Sequence, residues 1–230
     1  AIPTVALSAL DACIVTGEGL PGCIRHRELL DADALPPREA DPDPLGLIVY
    51  TSGTTGRPKG IAHSQARLAA RVRTFVHEMS LTADDVALTV FSAIRPLCLV
   101  HQFLAMLHAG GTMVLAERPE SGAFWRLYGQ TAPTYSIVMP SYLRKRMADP
   151  AAKKADHSRL RFLISAGDQA GPELFRAVRD ITGQPLLNQF GMTETGALFI
   201  QPLDGADKPG AMGRPVGGVE GRIIGPDGTD

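Results

Sequence analysis

Residues 50–60 read Tyr-Thr-Ser-Gly-Thr-Thr-Gly-Arg-Pro-Lys-Gly, and they directly follow the apolar run at 45–49. The segment holds three glycines, four serine or threonine hydroxyls and one lysine. Glycines allow backbone N–H groups to turn toward an anion, hydroxyls add short donors, and lysine adds a mobile positive charge. The sequence therefore predicts a phosphate-binding loop at the end of a strand.

This loop differs from a Walker A loop, which places Gly-Lys-Ser/Thr after a four-residue spacer. Here Arg57 and Pro58 separate Gly56 from Lys59. A polar surface turn would explain scattered glycine and threonine, but not this density of both beside an apolar strand. Lys59 alone would be read as a solvated lysine; within this loop we expect it to neutralise phosphate charge.

The ordered string S-G-T-T-G-x-P-K-G at 52–60 closely resembles the signature loop of the adenylate-forming superfamily. That superfamily comprises acyl- and aryl-CoA synthetases, nonribosomal peptide adenylation domains and firefly-type luciferases. Three further segments resemble its motifs in the expected order: Ser-Ala-Gly-Asp at 165–168, Asn-Gln-Phe-Gly-Met-Thr-Glu at 188–194, and Lys-Pro-Gly-Ala-Met-Gly-Arg-Pro at 208–215. Four motifs in this order argue against a chance match.

The resemblance implies how the phosphates of ATP are held. In the superfamily the loop binds the β- and γ-phosphates, which implies phosphate contacts for Lys59 and for Thr51, Ser52, Gly53, Thr54, Thr55 and Gly56. Thr193 is expected to reach the α-phosphate and Glu194 to ligate Mg²⁺, so these two and Lys59 are the candidate catalytic residues. A carboxylate-bound Mg²⁺ would offset charge on phosphate oxygens. Alternatively, Glu194 is an acid that only favours a helix dipole.

The resemblance also implies adenine contacts at two strand ends. The first end carries Gly167, Asp168 and Gln169, for which a strand-to-helix turn capped by the aspartate is the alternative. The second set comprises Asn188, Gln189, Phe190 and Gly191. Phe190 stands where the family usually has tyrosine, and it keeps the stacking face while it lacks the hydroxyl.

One departure from the family pattern concerns the acid pocket. Many acyl- and aryl-CoA synthetases have a Phe-His pair where this chain has Ile94 and Arg95. The planar fork of Arg95 suits a substrate carboxylate or a second acid group, and a structural salt bridge is the alternative. The resemblance places four more residues at this pocket: Leu97, His101, Ala166 and Met192. For His101, a satisfied core histidine is an equally good interpretation.

Hydrophobic periodicity predicts an α/β fold. The strand candidates are short apolar runs at 48–50, 86–91, 112–116, 135–139, 161–165 and 186–190. The helix candidates are amphipathic stretches at 61–79, 97–109, 120–130, 141–148 and 172–182. This alternation implies parallel βαβ layers with helices on both faces. We expect an α/β part of the AMP-binding domain over 1–200 with a surface linker at 33–44, and the start of a β-rich subdomain over 201–230 that includes an antiparallel strand at 219–224.

The composition excludes several classes of protein. With 44% hydrophobic residues and a net charge of −1 over 230 residues, nucleic acid and acidic membranes are poor candidates for the main partner. No apolar run reaches the ~20 residues of a membrane span. The three cysteines lack the paired spacing of a zinc site, and they are predicted to be free thiols in a reducing, cytoplasmic compartment.

The resemblance covers essentially the whole chain but only part of a typical family member. The ribose-binding aspartate, the hinge and the C-terminal domain with its catalytic lysine are expected outside this sequence, so the chain alone should be inactive. The parent protein is expected to be an AMP-forming acid–thiol ligase that uses ATP, Mg²⁺ and CoA on a small carboxylic acid.

Two alternatives remain open. The first is an amino-acid or aryl-acid adenylation domain that loads a carrier-protein thiol; it usually has a pocket aspartate, and residues 91–110 contain none. The second is a non-catalytic relative that binds nucleotide. The sequence leaves the acid, the thiol acceptor and the oligomeric state open.

Overall fold

The computed structural model describes residues 13–16, 18, 21–33, 36, 44–52, 57–91, 95–116, 121–205 and 208–229. The chain divides into two compact units, Ala1–Ala40 and Asp41–Asp230. The linker predicted at 33–44 lies mostly outside the described residues. Within the described segments, no helix combines the length and the apolar character that crossing a bilayer requires.

The described residues of the first unit form a small parallel sheet and one short helix. Its strands are β1 (Ile14–Val15) and β2 (Ile24–Arg25), and helix α1 spans His26–Leu29. The amide of Ile24 donates to the carbonyl of Cys13 at 2.8 Å. The cysteines are free thiols, as predicted, both in this unit and at Cys98 in the second.

A seven-stranded sheet forms the centre of the second unit. Its strands are β5 (Val86–Thr89), β6 (Thr112–Leu115), β7 (Tyr135–Val138), β8 (Phe162–Ser165), β9 (Leu186–Met192), β10 (Gly196–Ile200) and β11 (Arg214–Pro215). Their spatial order is β11-β10-β9-β8-β7-β5-β6. Strands β5 to β9 run parallel, whereas β10 is antiparallel to both of its neighbours. The predicted α/β fold is confirmed.

Helices cover both faces of this sheet. They are α2 (Gln65–Glu78), α3 (Pro96–Cys98), α4 (Ala105–Ala109), α5 (Ser121–Thr131), α6 (Pro140–Met147) and α7 (Pro172–Thr182). Phe75 of α2 and Met106 of α4 belong to one buried cluster, whereas Phe124 of α5 and Leu143 of α6 belong to another. Full burial of each such side chain stabilises the fold by about 1.5–3 kcal/mol.

The segment between α3 and α4 departs from α-helical geometry. The structure joins the two helices through a π-helical stretch, Leu99–Leu104, so the predicted helix at 97–109 is continuous but widened in its middle. Short 3₁₀ turns lie at Pro150–Lys154 and Leu203–Gly205. The bounds of α7 are as predicted, since Pro172 occupies its first turn and Gly183 ends it with a left-handed φ of 70°.

Strand β3 (Leu45–Thr51) lies outside the seven-stranded sheet and forms an antiparallel hairpin with β4 (Lys59–Ser64). The prediction of a helix over 61–79 is therefore wrong at its start, because residues 61–64 pair with β3. Ser64 has extended backbone angles, and its hydroxyl accepts from the amide of Arg67 at 3.3 Å. This N-cap fixes the start of α2 at the next residue.

The strand predicted at 219–224 is also wrong, because none of these residues belongs to a strand. The chain turns after β11, where the amide of Val219 donates to the carbonyl of Val216 at 2.9 Å. Ile223 is 90% exposed, so its apolar side chain does not pack against a core as it would in an amphipathic strand. The antiparallel part of the sheet begins earlier than predicted, at Gly196.

A partly buried ion pair closes the amino-terminal edge of the parallel strands. Nη1 of Arg161 lies 2.8 Å from each carboxylate oxygen of Asp85, and the hydroxyl of Thr134 donates to the same carboxylate at 2.6 Å. Burial alone raises the pKa of Asp85, but the hydrogen bonds from Thr134, Arg161 and the amide of Thr82 lower it below its ordinary value. This network joins the starts of β5, β7 and β8, which leaves their carboxyl ends for the site.

Candidate functional site

A cavity of about 410 Å³ lies at the carboxyl ends of the parallel strands. Phe91 follows β5, Met139 follows β7 and Ala166 follows β8, and all three residues line it. Ligands of open α/β sheets bind at this edge, outside the carboxyl ends of the strands. The cavity is therefore the candidate site.

The structure brings most of the predicted site residues in the described segments to this cavity. All five predicted acid-pocket residues line it: Arg95, Leu97, His101, Ala166 and Met192. Four of the predicted nucleotide-binding residues also line it: Gly167, Gln189, Gly191 and Thr193. Residues from two of the sequence motifs, at 165–168 and 188–194, thus meet residues of the stretch 95–101 in one cavity.

Four of the residues predicted on the adenine side do not line the cavity. Asp168 and Gln169 are exposed, and the carboxylate of Asp168 accepts from the backbone amide of Gln169 at 2.8 Å. Asn188 is 7% exposed, and its side chain donates to the carbonyl of Ala211 at 3.0 Å. The ring of Phe190 is 41% exposed. Their nucleotide contacts stay predictions.

The predicted phosphate loop is described only at its two ends. Gly53, Thr54, Thr55 and Gly56 lie outside the described residues. Thr51 and Lys59 pair directly across the hairpin, and Ser52 and Lys59 are exposed. Since Tyr50 lines the cavity, the hairpin holds both ends of the loop close to the candidate site.

His101 is packed into the core and also lines the cavity. Its ring stacks on Phe75 with centroids 4.6 Å apart, and the residue is 4% exposed. Burial first, and the nearby positive charge of Arg71 second, lower the pKa of His101 to about 3, so the imidazole is neutral at pH 7. The side-chain amide nitrogen of Gln189 lies within hydrogen-bond distance of Nδ1, at 3.0 Å.

Arg71 is a cavity residue that no sequence motif indicated. It lies on α2, and its Nη2 donates to the backbone carbonyl of Glu194 at 3.0 Å. Burial, and then the charge of Arg67, lower the pKa of Arg71. Helical spacing carried the signal, because Arg71 precedes the buried Phe75 by one turn and so shares its inward face.

The turn between β9 and β10 packs closely against Arg71. Gly196 has a left-handed φ of 81°, and a Cβ at that position would lie 2.7 Å from Nε of Arg71. Only glycine combines this backbone conformation with this close approach. The packing places the guanidinium beside the turn that carries Thr193 and Glu194.

A family model described as AMP-binding enzyme matches residues 7–230. The chain belongs to the AMP-binding enzyme family. Indoleacetate–CoA ligase of Aromatoleum aromaticum is 35% identical to this AMP-binding chain, over 96% of the chain and 44% of the ligase. Sulfoacetate–CoA ligase of Cupriavidus necator is 35% identical over 86% of the chain and 38% of the ligase. The chain thus spans less than half the length of these relatives.

A solved relative has a similar fold. The crystal structure of ATP-bound MatB from Rhodopseudomonas palustris superposes with a TM-score of 0.76 at 29% identity. That match covers 85% of the AMP-binding chain and 39% of MatB. The parallel strands and the helices on both faces therefore correspond to the fold of a known nucleotide-binding member of the family.

The residues of this AMP-binding chain fit Mg²⁺ only in part. In the described ranges there is no cluster of three His, Cys, Asp or Glu side chains that could hold a metal ion. Glu194 is an exposed carboxylate directly after Thr193. Mg²⁺ is commonly held by one or two carboxylates together with substrate phosphates. Glu194 therefore suits an ion that arrives with the nucleotide.

Proposed function

We propose that this AMP-binding chain forms the nucleotide- and acid-binding part of an AMP-forming acid–thiol ligase. One observation carries the proposal: a single cavity is lined by Gly167, Gly191 and Thr193 of the nucleotide motifs and by Arg95 and His101 of the acid pocket. A carboxylate must lie against the α-phosphate to attack it, so both ligands need one shared space.

The proposed reaction has two steps. In the first, a carboxylate oxygen attacks the α-phosphorus of ATP, the new O–P bond gives an acyl-adenylate, and the α–β phosphoanhydride bond breaks to release pyrophosphate. In the second, the thiol of CoA loses its proton, its sulfur attacks the acyl carbon, and AMP leaves with the electrons of the broken C–O bond. Neither step needs a covalent bond to the protein, so the side chains contribute position and charge.

Each predicted residue has a role within this proposal. Lys59 and residues 51–56 hold the β- and γ-phosphates, and the hydroxyl of Thr193 contacts the α-phosphate. Glu194 holds Mg²⁺, which when bound neutralises charge on the phosphate oxygens. Gly167 and Gln189 lie on the adenine side, where the exposed ring of Phe190 offers a stacking surface.

The comparisons and the cavity both support CoA as the thiol acceptor. The relatives named for indoleacetate and sulfoacetate are CoA ligases. None of the described residues that line the cavity is an aspartate or glutamate. An α-amino cation placed there would have no counter-ion, which disfavours an amino acid as substrate.

ATP–pyrophosphate exchange by the full-length protein tests the proposal. We expect exchange that depends on a carboxylic acid, and formation of AMP and an acyl-CoA when CoA is added. The acid panel should contain aliphatic, aromatic and amino acids, with products identified by mass spectrometry. Thioester formed only on a carrier-protein thiol would favour carrier loading, and absence of exchange with every acid would overturn the ligase proposal.

A further inference from the structure

Two arginines, Arg71 and Arg95, line the candidate cavity, and no acidic side chain does so among the described lining residues. The ion pairs found in the described part of the chain involve other arginines, Arg25 and Arg161. Guanidinium groups stay protonated in proteins. The cavity therefore presents two positive charges for which these segments supply no carboxylate.

The charge of Arg71 lies at the reacting end of the cavity. Its Nη2 donates to the carbonyl of Glu194 at 3.0 Å, which fixes the guanidinium beside the turn that begins with Thr193. The reacting carboxylate and the α-phosphate must meet near the Thr193 hydroxyl in the proposed reaction. The positive charge of Arg71 therefore lies on the side of the cavity where the proposed reaction places the reacting carboxylate, while its hydrogen bond holds the turn.

Arg95 lies on a different element of the cavity wall from Arg71. It directly precedes α3, whose residues Leu97 and Cys98 form an apolar stretch of the wall. Burial raises the pKa of the Cys98 thiol to about 11, and the positive charge of Arg95 partly opposes this rise. The Arg95 guanidinium therefore lies close to this thiol. The guanidinium of Arg95 is exposed and has no ion-pair partner in the described segments. Its planar fork can bind a carboxylate or sulfonate through two parallel hydrogen bonds.

We propose that the cavity selects carboxylic acids that carry a second anionic group, and that Arg95 binds this second group. The proposal rests on the ligase function proposed above and names the substrate class of the same site. A monocarboxylate supplies only the charge that reacts, so it leaves the guanidinium of Arg95 unmatched. A diacid or sulfo-acid supplies both charges, and its short hydrocarbon linker lies against the apolar wall.

The test compares acids that differ only by a methyl or hydrogen in place of the second carboxylate. Suitable pairs are propanoate with malonate, butanoate with succinate, pentanoate with glutarate, and benzoate with isophthalate. In the full-length protein we expect kcat/KM for acid-dependent AMP formation to be higher for the diacid of the best pair by at least about tenfold. Monoacids that react as well as or better than their diacids would overturn this proposal and leave the ligase function intact.

Variants of Arg95 assign the preference to its side chain. Arg95→Gln should abolish the diacid preference by raising KM for the diacid, with little change for the monoacid or for ATP. Arg95→Lys should keep part of the preference, because it retains the charge and loses the planar fork. Arg144→Gln removes an exposed arginine of α6 outside the cavity and should behave as wild type.

Two further outcomes would also overturn the assignment. If Arg95→Gln raises KM for ATP equally with every acid, the guanidinium serves the nucleotide. If Arg95→Gln leaves the diacid preference unchanged, another group binds the second anion. Absence of AMP formation with every acid would instead remove the ligase function on which the proposal rests.

Discussion

Nη2 of Arg71 donates to the backbone carbonyl of Glu194 at 3.0 Å, across 123 residues of sequence. The contact joins helix α2 to the turn between β9 and β10, and Gly196 makes room for it. A backbone carbonyl held in this way fixes the turn, whereas the side chains of Thr193 and Glu194 remain available to a ligand. Arg71 is therefore a positioning residue for the proposed phosphate and metal contacts.

Replacing Arg71 should impair adenylation without unfolding the protein. Arg71→Gln loses a charge-assisted hydrogen bond, and we expect about a tenfold lower rate of pyrophosphate exchange and a higher demand for Mg²⁺. Exchange measured against Mg²⁺ concentration checks this. Arg73→Gln, an exposed change on the same helix, serves as the control. Coincident curves for Arg71→Gln and wild type would show that the turn between β9 and β10 does not depend on the hydrogen bond from Arg71.

Glu194→Gln should slow adenylation and shift its Mg²⁺ dependence to higher concentration. The amide keeps the shape of the side chain and removes the anionic oxygen that Mg²⁺ prefers. Exchange rates across a magnesium series, with Glu173→Gln on the exposed start of α7 as the control, measure the effect. If Glu194→Gln behaves like the control, the carboxylate of Glu194 does not contribute to Mg²⁺ binding.

The double variant Lys59→Ala with Thr54→Ala should bind ATP more weakly. It removes one charge and one hydroxyl donor expected at the terminal phosphates, and a loss of about tenfold or more in affinity is expected. Titration calorimetry with ATP measures the affinity, and Lys145→Ala, at an exposed position of α6, controls for net charge. Unchanged affinity in a folded double variant would contradict the assignment of the loop.

Asp85→Asn should destabilise the protein by about 2–4 kcal/mol at pH 7, because it leaves Arg161 without its carboxylate partner. The hydrogen bonds that depress the pKa of Asp85 stabilise the fold while the group is ionised. This stabilisation is present above the ordinary pKa of an aspartate and is lost as the pH falls through the depressed value.

Urea unfolding of wild type and Asp85→Asn across an acidic pH series measures this effect. The difference in unfolding free energy between the two proteins should shrink as the pH falls. Asp84→Asn, at the exposed neighbouring position, should show no such difference at any pH. A difference for Asp85→Asn that does not vary with pH would mean that the carboxylate charge is not the cause.

The sequence predicted the helices and strands whose start, end and apolar spacing are all visible within their own residues. Helix α7 has Pro172 at its start, Gly183 at its end and apolar residues at helical spacing between them, so its bounds needed no tertiary information. The strands at the centre of the sheet are short runs of buried apolar residues. Their alternation with helices along the chain implied parallel pairing.

Other features depend on contacts that a linear pattern does not contain. Residues 61–64 satisfy a helical period together with α2, but their backbone groups pair with β3, and Ser64 ends that pairing. Helical spacing places Arg71 on the inward face of α2, but its contact with the backbone carbonyl of Glu194 has no counterpart in the linear sequence. A backbone acceptor has no residue type, so no motif could reveal it.

The hydrogen bond from Gln189 to Nδ1 of His101 makes two binding functions depend on one pair of residues. Gln189 lies on β9, in the segment that resembles the adenine-binding motif, and His101 lies in the π-helical stretch that lines the proposed acid pocket. A substitution at His101 alone would leave the half-buried side-chain amide of Gln189 without this hydrogen-bond partner. Engineering of this pocket should therefore randomise the two positions jointly, and natural variants with a new residue at one position should carry a compensating residue at the other.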